Sequence, residues 1–338
     1  MESLTAAARS AFASAAQAPD LSERGLTEIP DGGTPTIIDF IPPPRKGPLR
    51  VRRAAHNVDA EHLKKFEEGI ELMKALPADD PRSFTRQMDL YHAYRDSAYH
   101  QVGLPKLDLQ IQGPNSRFFF PWHRCYLYFY ERILSKLIGD DEFSIPFWSM
   151  DDPERKVVPD FYNKDHDPNN QKQKPAIHDL GHDSNPSFTE RMEDNLKYMH
   201  RSMTLIGKSA GLFMGSSNGE GEETNYPGGG SIGQIPHWPA HVRIEEPADS
   251  NVDPMGSFFY AWRTWDFGAC CANVDRLWSV WEAKGVAHRG DNGEADWFEA
   301  YFYFYDEDRQ IVRMKVRDCL DTKKLGFKYE TVELKSNV

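Results

Sequence analysis

Two histidines four positions apart stand in the segment PHWPAHVRI, residues 236–244. On a helix this spacing places His237 and His241 on one face, as a pair of metal ligands requires. Pro239 fits the first turn of such a helix, where its missing N–H would have no partner in any case. Because this spacing is common, it leaves both a metal site and an ordinary pair of helix histidines open.

Other histidines occur in less informative settings. The segment HDLGHD, 178–183, repeats the spacing among Gly and Asp residues, where a solvated loop is the simpler interpretation. His123 lies in the aromatic run FFFPWHRCYLYFYE, where a single histidine is most often a core residue with satisfied polar atoms. The chain contains no Walker-type glycine loop and no C-x-x-C pair.

The elements that would position these residues are mostly helices. Apolar positions recur at helical spacing and end at Pro or Gly in several segments. Alternation of aromatic and polar residues begins at Trp297 and predicts a β-hairpin or small sheet. The predicted helices cover 59–76, 80–101, 116–139, 187–207 and 273–285.

The domain organisation follows from these patterns and from composition. Residues 1–20 are Ala- and Ser-rich and predict a disordered terminus. Residues 21–290 predict one helical domain that starts with a Pro-rich arm, in which Ile37, Ile38, Phe40 and Ile41 are the expected apolar anchors. Residues 291–338 predict a small β-rich domain. The expected fold class is therefore mainly α, with long loops and a β appendage.

Composition excludes several classes of partner. The chain has 338 residues and a formal net charge of -12, which argues against nucleic-acid binding. No apolar run is long enough to predict a membrane span. The four cysteines do not form the framework of a disulfide-rich secreted domain. The N-terminal stretch lacks the length and arginine content of a plastid targeting segment, so a cytoplasmic location is expected over the plastid.

Several long segments together resemble the plant polyphenol oxidases, the family of catechol oxidases and tyrosinases. They include FFFPWHRCYLYFYERIL, SIGQIPHWPAHV, CCANVDRLWSVW and ADWFEAYFYFYDEDRQIVRMKVRDCLDTKKLGFKY. The resemblance implies a four-helix bundle that holds two copper ions, each bound by three histidines, with O2 bound between them. It also implies that the last segment forms the small domain that follows the catalytic domain.

Carried over one position at a time, the resemblance implies that the first copper site is degenerate. Tyr91 and Pro114 stand where the family has its first two ligands, and only His123 matches the third. Arg95 replaces the cysteine that forms a thioether cross-link, and it would add an unfavourable positive charge. A dinuclear copper centre is therefore not expected.

The second copper site keeps two of its three histidines. His237 and His241 match the first two ligands, whereas Cys271 takes the third position, beside Cys270. Two histidines and one cysteine suit a single Zn2+ or a mononuclear copper. The favoured alternative is that both cysteines are small buried residues, so that no cofactor is bound.

The remaining residues of the expected pocket suit acid/base chemistry on an aromatic molecule. Histidines can move protons near neutral pH, Tyr91 can donate a hydrogen bond to a carbonyl, and Arg95 can stabilise an enolate or phenolate. The expected acid/base groups are His237, His241, His123 and His92, and the expected substrate-binding aromatics are Trp238, Phe258, Trp262, Trp122 and Phe119.

The sequence thus favours a repurposed polyphenol-oxidase-like enzyme of plant specialised metabolism. The expected reaction is a non-oxidative cyclisation, isomerisation or conjugate addition on a phenolic or alkaloid-like substrate. One alternative is a copper-dependent catechol oxidase or monophenol hydroxylase with a rearranged site. The other is a non-catalytic binding protein.

Overall fold

A computed structural model describes residues 36–96, 103–105, 118–149, 151–152, 266–284 and 294–333. The predominantly helical fold class is confirmed in this part of the chain. The four helices of the core are α1 (Ala60–Ala75), α2 (Phe84–Asp96), α3 (Phe119–Ile138) and α4 (Asp266–Ala283). Helix α3 packs against both α1 and α4, and α2 packs against α1.

Helix α3 is the centre of the core. Its side chains are buried almost continuously from Phe119 to Ser135, which fits a helix surrounded on all sides by the rest of the fold. The helix ends at Gly139, whose φ of 68° lies in the left-handed region that glycine adopts without steric cost. The predicted range 116–139 is therefore confirmed, apart from its first three residues and the capping glycine.

The helix boundaries follow local capping. Asp59 accepts a hydrogen bond from the His62 N–H at 2.8 Å, and α1 starts directly after it, as predicted. The predicted start of α2 at residue 80 is wrong. The Asp80 carboxylate accepts from the Arg82 N–H in a turn, and the Ser83 hydroxyl caps the helix by accepting from the Arg86 N–H.

Helix α4 begins seven residues before the predicted start at 273. Its first turns contain Gly268, Ala269 and Ala272, and such small residues give little apolar contrast between one helix face and the other. The predicted helix at 187–207 lies outside the described residues. Of the helices in the described ranges, none combines the length and apolar character needed to span a bilayer.

Both ends of the described chain contribute to the sheets. Strands β3 (Tyr301–Tyr305) and β4 (Ile311–Lys315) form the predicted antiparallel hairpin. Strand β1 (Ile37–Asp39) of the arm pairs in parallel with β4, and β2 (Arg50–Arg52) pairs in parallel with β5 (Phe327–Tyr329). The division into domains at residue 290 stays a prediction, but the β appendage includes strands of the arm.

Two short helices flank the hairpin. Trp297 lies in helix α5 (Glu294–Glu299), so the start of the strand pattern at this residue is wrong. The alternating pattern applies from Tyr301 onwards, where Phe302 and Phe304 are buried. Helix α6 (Val316–Cys319) follows β4 directly and packs against α3 and α5.

Only part of the arm is anchored as expected. The Phe40 ring packs edge-on against Phe129 with centroids 4.9 Å apart, and Ile37 packs against the core. Ile38 and Ile41 are wrong as anchors, because 38% and 76% of their surfaces are exposed. In a strand successive side chains point to opposite sides, so the neighbour of an inward Ile37 faces outward.

A network of buried ions joins the arm to the bundle and to β5. Arg52 donates to Glu131 at 2.9 Å and to Asp275 at 3.2 Å, and Arg124 donates to Asp275 at 2.5 Å. The Tyr329 hydroxyl donates to the same Asp275 carboxylate at 2.7 Å. Burial disfavours the charged form of Glu131, but its arginine neighbours hold the pKa of this carboxyl below its usual value.

The Asp275→Asn variant is expected to lose about 3–5 kcal/mol of unfolding free energy, because Arg52 and Arg124 stay buried while their shared carboxylate is lost. Urea denaturation of the variant and the parent protein measures this difference. The matched control is Asp79→Asn, since Asp79 is exposed and this change should leave the midpoint in place. A midpoint unchanged in Asp275→Asn would show that the network contributes little to folding.

Candidate functional site

Tyr91 and His123 form a hydrogen-bonded pair between α2 and α3. The Tyr91 Oη lies 3.0 Å from His123 Nε2, and both residues are buried. His123 Nδ1 lies 2.7 Å from the backbone carbonyl oxygen of Phe119. Because a carbonyl oxygen only accepts, Nδ1 carries the proton and Nε2 accepts the hydrogen bond from Tyr91.

In this geometry the hydroxyl proton of Tyr91 is used in the hydrogen bond to His123. A phenol has a single O–H, so Tyr91 cannot donate to a substrate carbonyl while it donates to His123. The expected role of Tyr91 as a donor to substrate would require this hydrogen bond to break, and it stays a prediction. Instead, Tyr91 and the Phe119 carbonyl together fix the orientation of the His123 ring.

Aromatic rings enclose the pair. The Phe119 ring centroid lies 4.2 Å from that of His123, and the Trp122 centroid lies 5.0 Å from that of Tyr91. Trp122 also stacks on Tyr126, with centroids 5.1 Å apart. The predicted substrate-binding residues Phe119 and Trp122 thus lie beside the Tyr91–His123 pair, and their contact with a substrate stays a prediction.

Burial also sets the charge of His123. Removal from water disfavours the imidazolium and lowers the pKa of His123 to about 4, although the Phe119 carbonyl acts in the opposite direction. His123 is therefore neutral near neutral pH. A base with so low a pKa is poorly matched to proton transfer at neutral pH.

This shift predicts a pH dependence of stability that His123→Gln should reduce. The pKa of His123 is lower in the folded state than the ordinary 6.5, so the unfolded chain binds the extra proton first. Stability is complete above about 6.5 and is lost as the pH falls towards 4, by about 3 kcal/mol in total.

Urea denaturation of both proteins at several pH values across this interval tests the prediction. The parent should weaken with acid more steeply than the variant. Parallel curves for the parent protein and His123→Gln would contradict a neutral, buried His123.

Cys271 lies on α4, opposite the face of α3 that carries His123. The Cys271 thiol is buried. The pKa of Tyr130 on α3 is raised mainly by the burial of Tyr130 itself, and the nearby Cys271 raises it further. Tyr126 and Tyr130 follow His123 by three and seven positions, so these side chains share one face of α3. The facing helices thus bring Cys271 and His123 to the same side of the bundle.

The other expected site residues cannot be placed. His92 and Arg95 belong to α2, but their side chains lie outside the described part of the structure. The proposed metal ligands therefore stay a prediction, as does the remaining lining of the pocket. The expected residues wholly outside the described ranges are Pro114, His237, Trp238, His241, Phe258 and Trp262.

Polar residues of α4 that were not predicted from the sequence support this site. Asp275 lies four positions after Cys271 on α4, and it holds this helix against α3 by accepting a hydrogen bond from Arg124 at 2.5 Å. The signal was available in the sequence, because Asn273, Asp275 and Arg276 form a polar cluster in the middle of a mostly apolar helix. Buried polar residues in such positions indicate a specific partner.

Two family models match the chain. The common central domain of tyrosinase matches residues 81–284, and the polyphenol oxidase middle domain matches residues 291–336. Tyrosinase-family proteins normally bind two copper ions. The matched ranges include the bundle helices α2, α3 and α4 and the strands β3 to β5.

Curated relatives are similar over nearly the whole chain. The chloroplastic polyphenol oxidase of Malus domestica is 43% identical over 343 residues, which covers 96% of this chain and 57% of the relative. Aureusidin synthase of Antirrhinum majus is 42% identical over 339 residues, which covers 94% of this chain and 59% of the relative. The chain thus spans somewhat more than half the length of these relatives.

Solved structures agree with these relatives. Latent apple tyrosinase superposes with a TM-score of 0.72 at 44% identity, covering 88% of this chain and 66% of that one. The expectation of a cytoplasmic location is wrong, because relatives from Malus domestica, Ipomoea batatas and Vitis vinifera are chloroplastic proteins and point to the plastid.

Proposed function

Since this chain belongs to the plant polyphenol oxidase family, a family of enzymes, we propose that it is an enzyme whose first copper site no longer assembles. We propose that its reaction is a non-oxidative acid/base step on a phenolic or aromatic alkaloid-like substrate. Cyclisation, isomerisation and conjugate addition all belong to this class. The hydrogen bond between Tyr91 and His123 is the observation that carries the proposal.

This hydrogen bond supports the loss of the first copper site in a specific way. A ligand histidine usually donates one ring N–H to a carbonyl, and it binds the metal through the other nitrogen. His123 keeps the first feature through the Phe119 carbonyl, but its other nitrogen accepts the proton of Tyr91. The lone pair that would bind copper is therefore engaged by the residue that stands in place of another ligand.

The packing around Tyr91 also supports the loss of the first copper site. The Tyr91 ring packs edge-on against both Trp122 and Tyr126, and its phenol takes up space beside His123 that an imidazole and a metal ion would need. Dense aromatic packing resists the backbone movement that would separate Tyr91 from His123. The described residues of the first site therefore do not fit a copper ion.

Proton transfer in this proposal falls to His237 and His241. A neutral imidazole that binds no metal keeps a lone pair that can accept a proton. The low pKa of His123 makes it a weaker candidate for the base, and its fixed ring suits a positioning role. An aromatic lining that includes Phe119 would hold the flat substrate against these imidazoles.

One experiment separates the proposal from its two alternatives. The protein, stripped of metal with EDTA, is incubated under argon with a panel of phenolic ketones and quinone methides, and products are analysed by mass spectrometry. The proposal expects a product of unchanged mass, or an adduct of two reactants, without oxygen uptake. Oxygen-dependent products in the copper-loaded protein would support an oxidase or hydroxylase instead. Substrate that binds and is released unchanged would support a binding protein.

A further inference from the structure

A cleft of about 550 Å³ lies where the arm, the end of α3 and the C-terminal segment meet. Five of its charged lining residues are basic, and two, Asp141 and Glu307, are acidic. The whole chain has the opposite balance, with 40 basic and 52 acidic residues. The basic residues are Arg45, Lys46, Arg50, Arg132 and Lys136.

Three polar groups in this lining lack a partner. Lys46 forms no ion pair or hydrogen bond with any described residue. The Arg50 Nε and the Ser135 Oγ are buried and also have no hydrogen-bond partner in the described part of the chain. More than nine-tenths of the surface of each of these two residues is buried. Because buried donors are rarely left unsatisfied, a bound anion could accept hydrogen bonds from these groups.

The other cations of the cleft have acidic partners, and some of these can be exchanged. Arg45 pairs with Glu142, whose side chain is 64% exposed, and Lys136 pairs with the exposed Asp308. Exposed ion pairs contribute little, so a bound anion can replace their carboxylates. Arg132 pairs with Glu307, and these two residues would stay paired at the edge of the cleft.

Arg50 would contact the anion from the buried side of the cleft. Its Nη1 binds Glu131 at 3.1 Å, but Glu131 also neutralises Arg52, so one carboxylate serves two guanidinium groups. The end of α3 does not oppose an anion strongly, because its terminal carbonyls accept from the N–H groups of Gly139 and Asp140.

We propose that this cleft binds the phosphate group of a small molecule. Lys46, Arg50 and Ser135 together offer an ammonium, a guanidinium N–H and a hydroxyl, the donors that commonly bind phosphate oxygens. Pro43, Pro44 and Leu325 add an apolar wall. The same phosphate chemistry is present in inorganic phosphate and in an organic phosphate ester.

Calorimetric titration of the full chain at constant ionic strength tests the proposal. The probes are inorganic phosphate and phenyl phosphate, with sodium chloride as the reference salt. Saturable binding of phosphate, but not of chloride, is expected. Tighter binding of phenyl phosphate would identify an ester as the natural source, and equal binding would identify the free ion.

Two variants locate the site without disturbing the fold. Lys46→Gln and Ser135→Ala should each weaken phosphate binding about tenfold, the change expected for losing one charge-assisted hydrogen bond. Since neither side chain has a polar partner to lose, the melting temperature without phosphate should stay the same. The matched control is Lys64→Gln on the exposed face of α1, which should bind like the parent protein.

Titrations that never saturate would overturn the proposal. Unchanged affinity in Lys46→Gln would overturn it too, even if Ser135→Ala failed to fold. An equal loss of affinity in Lys64→Gln would show that the protein attracts anions only through its general charge.

Discussion

Purified protein loaded with excess copper is expected to form no quinone from catechols or monophenols. The expected loss is complete relative to an active family member, because coupled O2 chemistry needs two copper ions in one site. The resemblance to the family implies that Tyr91 and His123 stand at two ligand positions of the first copper, and Tyr91 donates to His123. It likewise implies that Cys271, whose thiol is buried, stands in place of an imidazole ligand of the second copper.

Absorbance of the quinone and oxygen uptake measure this outcome directly. The polyphenol oxidase of Malus domestica, treated with copper in the same way, serves as the positive control for the assay. Restoring one imidazole with Tyr91→His should not recover activity, because Pro114 and Cys271 still lack imidazoles. Copper-dependent quinone formation that disappears in His241→Ala would refute the loss of oxidase chemistry.

Replacement of the catalytic base should have the second large effect. His237→Ala or His241→Ala is expected to slow the non-oxidative reaction by a factor on the order of 10²–10⁴, the usual share of general acid–base catalysis. The rate of the parent should depend on one group that titrates near the ordinary histidine value of about 6.5. Single-turnover kinetics on the substrate found under argon measure both effects.

Two controls show whether a slower rate in His237→Ala or His241→Ala reflects the loss of a base rather than of a metal ligand. His62→Gln should leave the rate unchanged, because His62 at the start of α1 is held by the Ser144 carbonyl and belongs to no part of the proposed site. Treatment with EDTA should leave the parent unchanged as well. If EDTA abolishes turnover and Zn2+ restores it, then His237, His241 and Cys271 hold a metal that acts as a Lewis acid.

The fold could be predicted where the signals are local. Asp59 and Gly139 mark helix ends by their own capping chemistry, and the hairpin of β3 and β4 follows from alternation over a short segment. The strands of the arm could not be predicted this way. Ile37–Asp39 carries no pattern of its own that identifies its partner, and the pairing depends on residues near the other end of the chain.

The candidate site could likewise be predicted only in part. Correspondence with the family identified Tyr91 and His123 as neighbours, and the structure places them 3.0 Å apart. It could not supply the direction of the hydrogen bond or the low pKa of His123, because both depend on burial and on the Phe119 carbonyl. Three of the five cations of the cleft were visible as the run RKGPLR, but only folding brings Lys46 and Ser135 into the lining of one cleft.

The parallel pairing of the arm with the C-terminal strands also determines when the protein can fold. Strand β1 pairs Ile37 with Ile311, and β2 pairs Arg50 with Phe327, so both sheets close very long loops. During synthesis the arm leaves the ribosome long before the C-terminal strands with which it pairs. Until those strands are made, Arg52 cannot form its hydrogen bond to Tyr329. A chain stalled before residue 327 should therefore remain sensitive to protease at the arm, and full protection should come late and slowly, as for other folds of high contact order.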